Sequence, residues 1–465
     1  MTTTTNANNS DLLSKWMTKI DELRQSAKDF LPQSDPYNTD FNLLRWVKGW
    51  NGNMDEILPR LRRHIELRKV MHFDTDDGPL VPGYMEPNDV GPFMDVMQQA
   101  VRFPPVDSAI RDRFGNIAMF YTLDSSIDFM EIASHYRCSD YLWANLAFGE
   151  RNQAAIRVVE AETGCATGIT IFENVAGVDF IKLFRDFYRM GGTAAMKQIQ
   201  DHYPEQTSKV VIVNAPVILR KMWGLFAVCL NEETRKKFTI LLSGDDSWKS
   251  EIQAQIKPEL IPPDFGQVPE GARRRTSTTT STPFKWPSEL DIAKRCPTVD
   301  DGSLRVLSMR PKHRTVFEFF LNSDYGSAKQ LTWYFTTDSE IRFSISYQLQ
   351  SDSSSNSDSL NDDTVQPLLR CHPVIPTLNL STSIMPEWGS LNLDNSHQSD
   401  DKGCAKYRIE FANFSTKFFS AKLNCCLALE DCNNHVVVSM TSENNKNKAF
   451  GLKIVENIPV DLTNI

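Results

Sequence analysis

The middle of the chain alternates between short apolar runs and longer stretches with helical spacing. The apolar runs cover residues 117–123, 169–173, 209–214 and 238–242, and they are rich in β-branched or aromatic side chains. Such runs, separated by helical segments, are typical of βαβ units whose parallel sheet is covered by helices. The pattern therefore predicts an α/β domain with a mostly parallel sheet.

The helical stretches of this region are predicted at residues 129–159, 178–200, 216–230 and 248–256. The third is unusual because residues 222–230 are apolar on every side, whereas a helix lying on a sheet usually keeps one polar face. Two interpretations are open at this point. Either the helix is buried in the core on all sides, or it faces an apolar partner that is not protein.

Three further helices are predicted near the N-terminus, at residues 11–30, 40–49 and 54–70, after a disordered polar tail over residues 1–10. The third of these helices has a basic character. Its basic side chains are those of Arg60, Arg62, Arg63, His64, Arg68 and Lys69. They fit either a solvated helix face or a surface that contacts anionic headgroups.

After residue 303 the hydrophobic period changes from helical to two. Ile341, Phe343 and Ile345 alternate with polar residues, and a second alternating run begins at Tyr407. Alternation of this kind is typical of half-buried antiparallel strands. Residues 303–460 are therefore predicted to form an all-β sandwich.

Two polar stretches mark the edges of the predicted domains. Residues 267–302 include an Arg-, Ser- and Thr-rich segment that is predicted to be a linker, and residues 349–364 form a disordered insertion within the β domain. The helical subdomain is then expected to cover residues 11–74, and the α/β domain residues 75–266.

Composition excludes several classes of function. The 465 residues carry a net charge of −9, which argues against non-specific binding of nucleic acid. No apolar run reaches the ~18 residues of a membrane-spanning helix, and the N-terminus does not resemble a signal peptide. The nine cysteines have no regular spacing, so reduced thiols and a cytoplasmic location are expected.

The sequence offers no catalytic or metal-binding motif. It contains no dinucleotide-binding glycine pattern, no P-loop and no nucleophile elbow. The segment most similar to the elbow has Ala166 where the motif needs the nucleophilic serine. Cys425, Cys426 and Cys432 are close together but lack partners at metal-ligand spacing, and alternation places at least one of the first two in a sheet core. We therefore predict a protein that is not an enzyme, with no catalytic residues and no metal site.

The α/β region resembles the CRAL-TRIO lipid-transfer family. That family has a Tyr-Pro-Glu before a strand ending in Asn-Ala-Pro, then a leucine-rich gate helix and a Thr-x-x-Lys turn. The matching segments are Asp201-His-Tyr-Pro-Glu205, Val211-Ile-Val-Asn-Ala-Pro216 and Leu230-Asn-Glu-Glu-Thr-Arg-Lys-Lys-Phe238. Residues 40–45 and 64–69 are similar to the helical subdomain that precedes this domain in the family.

The β region resembles a GOLD domain. The segments that carry this resemblance are residues 331–335, 407–413 and 418–422. A CRAL-TRIO domain followed by a GOLD domain is similar to the supernatant protein factor, or tocopherol-associated, branch of the family. The resemblance implies a GOLD-like β-sandwich that contacts a protein partner or a membrane.

The resemblance also implies a site. In this family the helix over residues 216–230 is a mobile gate above an apolar cavity, and the sheet is the floor of that cavity. The implied ligand is one hydrophobic lipid, with no cofactor. The implied pocket and gate residues are Phe120, Phe172, Val213, Leu219, Met222, Trp223, Leu225, Phe226 and Leu230.

One departure from the family bears on the ligand. Members that transfer phosphatidylinositol hold its headgroup with a glutamate and with the lysine of the Thr-x-x-Lys turn. Lys237 matches that lysine and is the implied headgroup contact, but Ala194 stands at the position of the glutamate. This departure weakens phosphoinositide recognition and favours a tocopherol-, sterol- or squalene-like ligand.

Two functions from different classes fit these features. The first is a cytoplasmic lipid-transfer protein that associates transiently with membranes. The second is a lipid-sensing adaptor in signalling or Golgi and vesicle traffic, whose cavity is not used for transfer. Both need the same cavity, so the sequence leaves the choice open.

Overall fold

The computed structural model describes residues 3–33, 37–71, 73, 107–123, 130, 133, 136–227, 230, 232–244, 247–265, 304–321, 329–349, 372–393, 405–414, 420–430, 436–439 and 453–459. The predicted linker lies outside the described residues, as do Cys432 and the predicted insertion from residue 350 onward. Among the described residues, no helix is both long enough and apolar enough to cross a bilayer.

Three N-terminal helices form a small subdomain with its own core: α1 (Thr3–Ser26), α2 (Asp40–Gly49) and α3 (Met54–Val70). The bounds of α2 and α3 are as predicted from the sequence. The prediction of a disordered tail over residues 1–10 is corrected, because α1 is already helical from Thr3. Adding a residue to an existing helix costs far less than starting one, so the polar segment extends the apolar helix behind it. The shared core is built from Ile20, Leu23, Leu43, Trp46, Val47, Ile57, Leu61 and Ile65.

The α/β domain is built on a parallel sheet, as predicted. Its strands are β1 (Ile117–Thr122), β2 (Ile169–Asn174), β3 (Thr207–Ala215) and β4 (Phe238–Leu242), paired in sequence order. The helices around it are α4 (Cys138–Thr163), α5 (Phe180–Arg189), α6 (Gly192–His202), α7 (Val217–Ala227), α8 (Glu232–Lys236) and α9 (Ser247–Gln255).

The helix predicted over residues 178–200 is two helices, α5 and α6. The break falls at Gly191, whose φ of +77° is a left-handed conformation that favours glycine. A Cβ on Gly191 would also lie 2.8 Å from the Cβ of Ser381, so the chain passes here too close to the β domain for a side chain. Helical periodicity alone does not reveal such a break.

The two faces of the parallel sheet pack against different elements. One face presents Phe172, Val211 and Val213 to α9 and to the short 3₁₀ turns Pro258–Leu260 and Pro263–Phe265. The opposite face packs its β1 and β2 side against α4, and its β3 side against α5 and α7. A parallel sheet covered on both faces explains why its strands are apolar without alternation.

The C-terminal domain consists of antiparallel strands, as predicted. One sheet has the order β10-β7-β12-β13, with β5 also paired to β12, and the other has the order β14-β6-β11-β8-β9. The strands are β5 (Arg305–Met309), β6 (His313–Leu321), β7 (Gln330–Thr337), β8 (Ile341–Leu349), β9 (His372–Leu380), β10 (Glu387–Asn392), β11 (Ala405–Asn413), β12 (Ala421–Glu430), β13 (Val436–Ser439) and β14 (Lys453–Pro459).

The two antiparallel sheets pack face to face through aromatic side chains. The ring of Phe335 on β7 lies 4.9 Å from that of Phe343 and 5.0 Å from that of Phe411, both on the other sheet. Cys425 is fully buried in this core while Cys426 is only half-buried, which confirms the prediction from alternation.

The β-sandwich is docked on the α/β domain. Glu387 of β10 is fully buried and accepts hydrogen bonds from the backbone N–H and the hydroxyl of Ser139, at the start of α4. Beside it, the guanidinium of Arg137 lies over the ring of Trp388 and donates to the Trp388 carbonyl at 2.9 Å. We call this contact region between the two domains the seam.

Candidate functional site

The candidate site begins with helix α7, which covers the predicted gate. Leu219 is buried against Val210 and Ile212 of β3, and Leu230, just beyond the helix, is also buried. Met222 and Trp223 are half-buried, and the Trp223 ring lies 4.9 Å from the ring of Phe238 on β4. Leu225 and Phe226 belong to α7, but their side chains lie outside the described part of the structure.

The N-terminal half of α7 exposes apolar and basic side chains together. Val217 is 54% exposed and Ile218 is 38% exposed, and Arg220 and Lys221 are exposed beside them. Among its described side chains, α7 therefore has buried apolar residues on one side and its cations on the solvent side. A helix buried in the core on all sides would not have this pattern.

Beneath α7, the sheet carries apolar side chains that are only partly buried. Ile171, Phe238, Ile240 and Leu242 belong to the same apolar cluster as Leu219, and each keeps solvent access. Their counterparts on the opposite face, Phe172, Val211 and Val213, are fully buried. These packed but solvent-accessible side chains form an apolar surface beneath α7, and we call this surface the α7 cleft.

Three of the predicted pocket residues do not line this cleft. Phe120, Phe172 and Val213 point to the α9 side of the sheet, where Phe120 stacks on Phe172 with ring centroids 4.9 Å apart. This is a correction with a simple cause, because successive residues of a strand point to opposite faces. The residues one position earlier, Ile171 and Ile212, face α7 instead.

A polar pair that the sequence analysis missed lies on the same face of the sheet. Tyr121 of β1 and Glu173 of β2 are register partners, and strand alternation puts both on the face of Ile171. Burial raises the pKa of Glu173 to about 7, although a hydrogen bond from Tyr121 opposes the shift. The pKa of Tyr121 is raised too, first by burial and then by the nearby carboxylate. The only sequence signal was an acidic residue within an apolar strand.

Lys237, the implied headgroup contact, is engaged by a carboxylate. Its ammonium lies 2.7 Å from Glu205, the glutamate of the Tyr-Pro-Glu motif, which also pairs with Lys48 of α2 at 3.1 Å. Burial alone would raise the pKa of Glu205, but the two lysines lower it below its ordinary value. The motif thus ties β4 to the helical subdomain. Ala194 is buried in α6 and supplies no carboxylate.

The remaining titratable groups do not form a metal centre. Among the described residues, no group of three or more His, Cys, Asp or Glu side chains is arranged to hold a metal ion. His202 is buried against His64, with ring centroids 5.6 Å apart. Burial lowers the pKa of His202 to about 4 and lowers that of His64 well below its ordinary value, so both are neutral at pH 7.

Comparison with known proteins places the α7 cleft in a recognised domain. Residues 152–266 match the family model described as the CRAL/TRIO domain. The chain is 24% identical over 434 residues to the CRAL-TRIO domain-containing protein C34C12.6 of Caenorhabditis elegans, covering 88% of this chain and 95% of that protein. It is 20% identical over 413 residues to Protein ctg-1 of the same organism, covering 87% and 94% respectively.

A similarity to the crystal structure of Sfh5 covers 50% of this chain and 80% of that one, with 15% identity. Its TM-score of 0.31 is too low to support a conclusion about the fold. The GOLD-like identity of the β-sandwich stays a prediction. The family match runs from within α4 to the end of the described α/β region, so α7 and the strands beneath it lie in the segment that is similar to the CRAL/TRIO domain.

Proposed function

We propose that this chain holds one hydrophobic lipid in the α7 cleft and exchanges it at membranes. The CRAL/TRIO domain itself suggests lipid binding or transfer. The observation that carries the proposal is the cluster of packed but solvent-accessible apolar side chains under α7: Ile171, Phe238, Ile240 and Leu242. Clefts with largely apolar walls and few polar groups are the usual form of a small-molecule site.

The free energy of lipid burial is sufficient to hold a ligand there. Removing one CH₂ group from water stabilises a complex by about 0.8 kcal/mol, so a long acyl or isoprenoid chain contributes on the order of 10 kcal/mol. The loss of translational and rotational freedom offsets several kcal/mol of this. The remainder is compatible with a ligand that stays bound in water and leaves at a membrane.

The exposed part of α7 supports a membrane contact. Val217 and Ile218 would enter the headgroup region, while Arg220 and Lys221 beside them would face anionic lipids. Each cation near an anionic surface adds about 1 kcal/mol. The same helix would then cover the ligand in water and meet the bilayer during exchange.

An apolar ligand of tocopherol, sterol or squalene type suits the site better than a phosphoinositide. Ala194 offers no carboxylate for an inositol headgroup, and the ammonium of Lys237 is already paired with Glu205. We assign the β-sandwich a GOLD-like role in protein or membrane interaction. In support, one of its sheets ends in the edge strand β14, which has the exposed Glu456, and an exposed sheet edge is a common docking surface.

Native mass spectrometry of the purified protein, with identification of the extracted ligand, tests the proposal. A stoichiometric hydrophobic lipid is the expected result. A protein that is empty and also refuses tocopherol, squalene, sterol and phospholipid would contradict it. A lipid that binds but never moves to acceptor vesicles would instead support the adaptor function.

A paired substitution tests the membrane contact. Ile218→Asp should slow transfer to vesicles about tenfold, because a carboxylate cannot enter the interface as an isoleucine does. Val306→Asp is the matched control, since Val306 is equally apolar and 58% exposed but lies on β5 of the sandwich. Equal transfer rates for the two variants would contradict a membrane contact by α7 during lipid exchange.

A further inference from the structure

We infer that the seam contains a second binding site, for a small phosphate-bearing anion. The site is a cleft of about 210 Å³ between α3 and α6 on one side and β8, β9 and β11 of the sandwich on the other. On this measure one water needs roughly 10–15 Å³, so the cleft has room for a ligand well above the size of a water molecule. It is separate from the α7 cleft and shares no residue with it.

Three arginines from two domains converge on this seam cleft: Arg63 of α3, Arg342 of β8 and Arg408 of β11. Arg63 has no ion pair within 4 Å among the described residues. Arg342 donates from Nε to the side-chain oxygen of Asn379 at 3.1 Å and stacks on Phe414, contacts that position the guanidinium without neutralising it. Burial lowers the pKa of Arg342 to about 10, and the charge of Arg63 adds to the effect.

The carboxylates of the same cleft are mostly engaged or weakened. Asp201 is paired with Arg60 at 3.1 Å, and Glu410 accepts from Arg408 at 3.0 Å and from Arg314 at 3.4 Å. Burial raises the pKa of Glu66. Asp201 and Glu66 act electrostatically on Arg63, and Asp201 and Glu340 act on Arg342, but neither arginine makes a direct ion pair with a carboxylate among the described residues.

Two buried donors at the cleft also lack an acceptor. Gln198 is 2% exposed; its carbonyl oxygen accepts from the backbone N–H of Asn379 at 3.0 Å, but its Nε2 has no partner in the described part of the chain. The Nε of Arg408 is buried without a partner as well. Leaving a buried donor unpaired costs about 1–3 kcal/mol, which an anion oxygen in the cleft would recover.

A phosphate group meets these requirements better than other small anions. Guanidinium groups bind phosphate oxygens through two parallel charge-assisted hydrogen bonds, and arginines on facing elements can hold different oxygens of one group. Because the arginines come from α3 and from the sandwich, a ligand bound here would contact both domains at once. The phosphate could belong to a soluble molecule or to a lipid headgroup.

Calorimetric titration of the full chain, in phosphate-free buffer, with inositol hexakisphosphate and with inorganic phosphate tests the site. Arg63→Gln and Arg342→Gln should each weaken binding at least tenfold. Arg113→Gln is the matched control, because Arg113 is exposed at the turn before β1 and does not line the seam cleft. Flotation with vesicles containing phosphatidylinositol 4-phosphate, for the same proteins, tests the lipid source.

Binding in the titration alone would assign a soluble phosphate compound, and binding in flotation alone would assign a headgroup. Either result supports the site, provided that Arg63→Gln and Arg342→Gln abolish the binding and Arg113→Gln does not. No binding in both assays, or binding that survives Arg63→Gln together with Arg342→Gln, overturns the inference. If these variants fail to fold, the melting temperature of the unsubstituted chain tests the site instead. A rise with inositol hexakisphosphate beyond that with chloride at equal ionic strength is expected, and its absence refutes the site.

Discussion

Replacing Glu173 by glutamine should stabilise the protein at alkaline pH and leave its stability nearly unchanged in mild acid. Glu173 has a pKa of about 7 in the folded chain against an ordinary value of 4.5, because burial in the sheet disfavours its charged form. At about 1.36 kcal/mol for each pKa unit, the difference amounts to roughly 3 kcal/mol. This is an upper limit, since the side chain keeps partial solvent access.

The sign follows from the proton balance. The folded state holds the Glu173 proton more tightly than the unfolded state, so the contribution to stability is fully present below pH 4.5 and lost as pH rises through about 7. Glutamine keeps the shape and the hydrogen bond to Tyr121 but cannot ionise. The melting temperature of Glu173→Gln should therefore exceed that of the unsubstituted chain at pH 8, with little difference at pH 5.

Circular dichroism melts at the two pH values measure this effect. Glu22→Gln is the control, because Glu22 is exposed on α1 and its one ion pair among the described residues is with Lys19, so its loss should have a small effect at either pH. A melting-temperature difference for Glu173→Gln that is the same at pH 5 and pH 8 would refute the reasoning. It would mean that the carboxyl is charged and well solvated in the folded protein.

Two further predictions concern the helical subdomain. Glu160→Ala should destabilise the protein by about 3–5 kcal/mol in thermal melts, because it leaves the buried guanidinium of Arg45 without its carboxylate. The control is Glu162→Ala, two residues further along α4. It removes an exposed ion pair with Arg111 and should cost at most about 1 kcal/mol. Acidification should also destabilise the chain between pH 6.5 and about 4. Burial lowers the pKa of both His64 and His202, so the stability present above pH 6.5 is lost as they take up protons, and a His202→Gln variant should have a flatter pH profile over this range.

The elements with local signals could be predicted from the sequence. The bounds of α2, α3 and β4 are correct because each has its own signals, such as a capping residue, a stop or a dense apolar run. The N-cap of α2 is Thr39, whose side chain accepts a hydrogen bond from the backbone N–H of Asn42. The antiparallel domain could be predicted equally well, because its strands have one solvent face and their apolar and polar residues therefore alternate.

The orientation of the parallel strands could not be predicted in the same way. In β2 both Ile171 and Phe172 are apolar because both faces of the sheet are covered. The sequence therefore does not indicate which of the two faces α7. Glu173 is the one charged residue of β2, and it has the same parity as Ile171. In this strand the position of Glu173 therefore marks the face of Ile171, which the apolar neighbours do not.

The seam cleft shows a second limit, which comes from distance along the chain. The basic residues of α3 fitted a solvated helix face as well as an anion-binding surface, because a sequence records charge but not what covers it. In the fold, Arg68 is buried beside Tyr37 and Glu150, Arg60 meets Asp201, and Arg63 faces the sandwich. Carboxylates that lie 82 and 141 residues away along the chain neutralise Arg68 and Arg60. Arg63 makes no direct ion pair among the described residues, and it lines the seam cleft together with Arg342 of β8.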